Sequence, residues 1–150
     1  GGLGQQIMLA ELLQARARVS TARGDDDQAL YAWLRALQIR LLLALGHDVS
    51  NARLDSAIDD LLRDHLSDII LPTATTQQLL TYYEKTTQFD RAEDVLWELI
   101  DEHITDKNMV EEGLAFYERL LQKSDGELRT GNLSRGEIEE AFDELWERRG

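Results

Sequence analysis

Apolar residues recur at spacings of three and four along almost the whole chain. Nowhere does a stretch rich in β-branched residues alternate apolar with polar in steps of two. A chain patterned that way buries its apolar side chains by packing helices on one another, so the fold class is all-α. Glycine, proline and capping residues divide the pattern into about seven amphipathic helices. The first is predicted over about residues 5–23 and stops at Gly24, which suits the left-handed position just past a helix end. The second fills 26–45 and stops at Gly46. Its apolar set runs from Ala29 and Leu30 through Trp33, Leu37 and Leu41 to Leu45. That arc is too wide for one neighbour, which makes this helix central.

The third helix, over about 51–70, carries one stripe of Leu54, Ile58, Leu61, His65, Leu66 and Ile69, with Pro72 ending it. Its other face sets Asp60, Asp64 and Asp68 at four-residue steps beside Asp59. Evenly spaced carboxylates on one straight helix diverge into water, so the row reads as a solvated face and not as a metal site. The fourth helix opens at Thr75, where Thr-x-x-Gln with Gln78 forms a capping box, and carries Leu79, Leu80, Tyr82 and Tyr83 to about Thr87. The fifth, over about 89–104, buries Ala92, Val95, Leu96, Leu99 and Ile100. The sixth starts near Asn108 and buries Val110, Leu114, Tyr117, Leu120 and Leu121. "SDGELRTGN" reads as the one real loop, after which Ser134 and Glu137 cap a seventh helix carrying Ile138, Leu145 and Trp146.

A length of 150 residues suits a single domain over 1–150. Cysteine is absent, which excludes disulfides and thiolate metal sites, so a cytoplasmic location is expected. The longest apolar run is far short of the roughly 20 residues a membrane span needs. Against 29 Asp and Glu stand 16 Lys and Arg, a net charge of −13, which argues against a phosphate backbone as partner. The imbalance is local: residues 1–50 hold five basic and five acidic side chains, 51–100 four and ten, and 101–150 seven and fourteen. The opening "GGLG" lacks an initiator methionine and runs directly into a helical pattern, so the chain is expected to be the C-terminal part of a longer protein.

Three aspartates, Asp25, Asp26 and Asp27, precede the second helix. An aspartate there accepts hydrogen bonds from the first free N–H groups and meets the positive end of the helix dipole, each effect worth about 0.5–2 kcal/mol. A helix start accounts for them without a metal.

The same region has a repeat signature. Gly24, Ala29, Trp33 and Ala36 fall at the spacings of the second half of a tetratricopeptide repeat. "LLTYYEKTTQFDRAEDVLWEL" places Leu79, Leu80, Tyr83, Phe89, Ala92, Leu96 and Leu99 in the same register, with Thr87 where the turn glycine is usual. "RGEIEEAFDEL" echoes it with Gly136 and Ala141. The corresponding alanines Ala29, Ala92 and Ala141 stand 63 and 49 residues apart, neither of them the repeat length of about 34. The segments "LPTATTQQLLTYYEKTTQFDRAEDVLWELID" and "GLAFYERLLQKSDGELRTGNLSRGEIEEAFDEL" resemble the C-terminal region of a bacterial family of uncharacterised tetratricopeptide-like proteins. The resemblance implies an irregular array of antiparallel helical hairpins, with further helices upstream in longer relatives, and supplies no catalytic residues.

His47, His65 and His103 sit on different predicted elements, and none has a metal-ligand or triad partner in sequence. There is no Gly-flanked nucleophile and no phosphate loop. No catalytic activity, metal or cofactor is expected. Stacked hairpins do present a concave surface lined by the first helix of each pair. In tetratricopeptide register the groove positions include Gln14, Arg18, Gln77, Thr81 and Lys85, with Arg18 and Lys85 placed to clamp a peptide carboxylate. Tyr31 and Trp97 stand one position off their apolar stripes. The expectation is therefore a protein-interaction module or scaffold binding a protein, a peptide or a second copy of itself, and no nucleic acid or membrane. The alternative is a structural or homodimerisation segment packing on N-terminal helices, which a large apolar patch on the first helix would favour. A closed pocket joining His65 to Asp60 or Asp64 is a third option.

Overall fold

The structure, a computed structural model, describes residues 2–46 and 51–150; His47, expected at the end of the second helix, lies outside them. Eight helices and no strand occur among the described residues: α1 (Gly2–Ala22), α2 (Asp26–Leu45), α3 (Ala52–Asp64), α4 (Thr73–Lys85), α5 (Phe89–Glu102), α6 (Lys107–Leu121), α7 (Asp125–Thr130) and α8 (Arg135–Arg149). The chain is all-helical, as its periodicity requires. It falls into two compact units, Gly1–Pro72 and Thr73–Gly150.

In the first unit α1 and α2 pack along each other, and α3 packs on α2. Gly24 takes φ +78°, and Asp25 caps α2 by accepting from the Gln28 N–H at 3.2 Å, so the aspartates do mark a helix start. The buried face of α1 is Ala10, Ala17 and Ser20, and α2 contributes Ala29, Ala32 and Ala36 to the buried set. Side chains this small allow two helix axes to approach at the short end of the usual range of about 8–10 Å. The larger core residues of the unit are Trp33, Leu37, Leu41, Ile58, Leu61 and Leu66.

The third helix is shorter than its stripe suggests and ends at Asp64. The N–H groups of His65 and Leu66 both donate to the Leu61 carbonyl, closing the helix while the Leu66 side chain turns inward. Leu66 keeps the apolar spacing of a helix it does not extend, because Pro72 and the Ser67-Asp68 pair favour a non-helical path.

In the second unit α4 and α5 form a hairpin joined through Thr87, α6 packs on α5, and α8 packs on α6. α4 begins at Thr73, not Thr75: Thr75 and Thr76 are buried within the helix, and Pro72 sits at its threshold, where a missing N–H costs nothing. α6 begins at Lys107, capped by the Asp106 side chain. Its Gly113 permits a close crossing, since a Cβ there would lie 2.6 Å from Leu145 Cδ2 and 3.3 Å from Ile100 Cδ1. The expected loop after α6 contains α7. Ser124 accepts from the Glu127 N–H, a Ser-x-x-Glu cap like that of Ser134, and α7 buries Leu128. Arg135 then ties this corner together, donating to the carbonyls of Leu121 (3.0 Å) and Lys123 (2.7 Å) and to Asp125 (3.0 Å).

Candidate functional site

Of the groove positions, Gln14 and Arg18 lie on α1 in the first unit, whereas Gln77, Thr81 and Lys85 lie on α4 in the second. The Gln14 side-chain oxygen accepts two hydrogen bonds from the Arg40 guanidinium, at 3.0 and 2.6 Å. Arg40 is buried, which pulls its pKa down from the ordinary value, and the charge of Glu11 opposes that shift. Gln14 is thus committed to pinning α1 on α2. On α4 the three residues follow one another at four-residue steps, the Thr81 hydroxyl donating to the Gln77 carbonyl, with Thr81 and Lys85 exposed.

Arg18 meets His65 through an aromatic ring. The His65 imidazole stacks on Trp33 with centroids 3.5 Å apart and planes 9° from parallel, and the Arg18 guanidinium lies 5.8 Å from the Trp33 centroid. Partial burial lowers the His65 pKa, Arg18 adds to that, and Asp64 opposes it. Asp60 and Asp64 instead pair with the exposed Arg63, at 2.7 and 2.9 Å. Among the described residues no three His, Asp or Glu side chains are grouped to hold a metal ion. His103 sits in the second unit, its Nε2 3.3 Å from Thr73 Oγ1.

The second unit holds a polar relay between α5 and α6. Trp97 Nε1–H donates to the Tyr117 hydroxyl at 2.8 Å, and that hydroxyl donates to Glu93 Oε2 at 2.6 Å. Burial raises the pKa of both acids, and Arg148 covers the outer face of Trp97 at 4.9 Å. The relay's donors are used internally, so it fixes α5 on α6.

Among the described residues, the outer face of α1 is a row of large apolar side chains left open to solvent. Met8, Leu12, Ala15 and Val19 follow at four-, three- and four-residue steps on the side opposite Ala10 and Ala17, and all four are exposed, Met8 by 61%, Leu12 by 62% and Val19 by 50%. The helix therefore packs on α2 largely through its small residues and turns Met8, Leu12 and Val19 to solvent, while Ile7 and Leu13 are half-buried. Beside this stripe a crevice of about 340 Å³ opens between α1 and α2, lined by Leu13, Arg16, Asp27, Gln28, Tyr31 and Ala32. Tyr31, offset from its stripe, is 65% exposed, while Trp97 is engaged in the relay. The sequence carried a signal for this face: the apolar residues of α1 are spread around the helix and not gathered in one stripe, and an alanine pair seven residues apart marks which side takes a close neighbour.

No described helix is long and apolar enough to cross a membrane. Comparisons with curated proteins and with solved structures each returned no match. A family model covers residues 8–150, from the start of the exposed stripe on α1 through α8, and on that match the chain belongs to DUF6483, a family of unknown function.

Proposed function

We propose that this chain is a non-catalytic, tetratricopeptide-like protein-interaction module of the cytoplasm, and that the outer face of α1 is its contact surface. The observation that carries the reading is the exposure of Met8, Leu12 and Val19 on one helix whose buried side is the small residues Ala10, Ala17 and Ser20. A contiguous apolar face of this kind marks a contact with another protein surface. The α1–α2 and α4–α5 hairpins, with a left-handed residue at Gly24 and Thr87 and with Ala29, Ala36 and Ala92 buried, support the tetratricopeptide-like part of the reading.

The test compares proteins co-purifying from the native cell with the parent chain, with Leu12→Glu and with Lys85→Glu. Leu12 is exposed, so its replacement leaves the fold intact. The reading predicts that Leu12→Glu loses the partner while Lys85→Glu keeps it. Loss with Lys85→Glu alone would move the contact to the polar face of α4, and equal recovery with all three would overturn the interaction reading.

A further inference from the structure

We propose that the occupant of the α1 face is the same face of a second copy of this chain, packed antiparallel about a twofold axis. The inference rests on the interaction reading and names its partner. Alternating four- and three-residue spacings make Met8, Leu12, Ala15 and Val19 the seam of a two-helix coiled coil. Turned end for end about the midpoint of that seam, the helix sets Met8 against Val19 of the second copy and Leu12 against Ala15. Each layer then pairs a longer side chain with a shorter one, which fills the seam evenly.

The charges fit the same register. Glu11 and Arg18 lie seven residues apart on one flank of the seam. In an antiparallel pair, flanks of the same kind face each other, so Glu11 meets Arg18 of the second copy, and the twofold axis makes the pair twice. A parallel pair would stack Leu12 on Leu12 and Ala15 on Ala15, and, although Glu11 would then reach Arg16, it would set Arg18 against Arg23 on both sides. On the other flank, antiparallel packing brings Leu9 of the second copy alongside Arg16 at the mouth of the crevice, where Tyr31 extends the apolar surface. The chain as a whole carries −13, but the five basic and five acidic residues of 1–50 cancel, so α1 lies in the region where two copies approach without net repulsion.

Sedimentation equilibrium on the 150-residue chain, from low micromolar concentration upward, reads the mass, with circular dichroism confirming that each variant is folded. The expected result is a species of twice 17.1 kDa. Leu12→Glu abolishes it. Glu11→Arg and Arg18→Glu, each of which turns two attractive pairs into two repulsive ones, weaken it roughly tenfold or more. Mixing those two variants restores a heterodimer, because position 11 of each chain then faces the opposite charge at position 18 of the other. A monomer at every concentration overturns the inference, as does a dimer indifferent to Glu11 and Arg18. A monomeric parent that still loses another protein on Leu12→Glu overturns the self-pairing alone; the interaction reading fails only if Leu12→Glu changes nothing.

Discussion

Thr87 joins α4 to α5 at φ +58°, a left-handed conformation that a β-branched residue adopts at a cost of about 1–2 kcal/mol. Glycine there removes the strain but adds freedom to the unfolded chain, so Thr87→Gly is expected to stabilise the second unit by about 0.5–1 kcal/mol, read as a rise in Tm. The need for a turn residue was legible, because Thr87 occupies the glycine position of the repeat register. So was Asp25 as a helix cap, since capping depends on neighbours in sequence. The Gln14–Arg40 hydrogen bonds were not legible: they join residues 26 apart and depend on how α1 is rotated against α2. That rotation turned a position expected on a groove into an internal fastener.

Between elements, the Trp97–Tyr117–Glu93 relay and the Gly113 crossing fix α5, α6 and α8. Tyr117→Phe leaves the Trp97 N–H and the Glu93 carboxyl without their shared partner, and should destabilise by about 1–2 kcal/mol in a denaturant titration. Glu93 has a pKa above the ordinary carboxylate value because burial disfavours its charge, with Asp94, Glu137 and Asp90 adding to the shift and the Tyr117 hydrogen bond opposing it. In the pH range between the unfolded and folded values the folded state holds the proton and the unfolded state does not, so Glu93 costs stability progressively as pH rises through that window. Glu93→Gln keeps an acceptor for Tyr117 and removes the titration. It is expected to match the parent at acid pH and to gain on it as pH rises above the ordinary carboxylate range, measured as the difference between two pH–stability curves. Gly113→Ala forces a methyl into Leu145 and Ile100 and should cost about 1–3 kcal/mol, seen as a lowered Tm. Element boundaries were less legible than element existence. Leu66 and Ile69 keep helical spacing beyond the end of α3, and the Ser124 cap of α7 is hidden in a stretch whose glycines read as loop.

For the whole molecule, the all-α class follows from periodicity alone, because no other architecture buries apolar residues at three- and four-residue steps. The proposed contact surface was only half legible. Its ingredients, large apolar residues on more than one side of the first helix and a charge-neutral first third, are plain in the sequence. Which face of α1 stays open depends on the close α1–α2 packing that Ala10, Ala17 and Ala36 allow, and that is settled by tertiary structure. The measurement that bears most directly on the account is photo-crosslinking in the native cell, with the reactive side chain at position 12 on α1 or, as a control, at the exposed position 139 on α8. The account predicts a discrete protein adduct from position 12 and none from position 139. No adduct from position 12, or the same adducts from both positions, would contradict it.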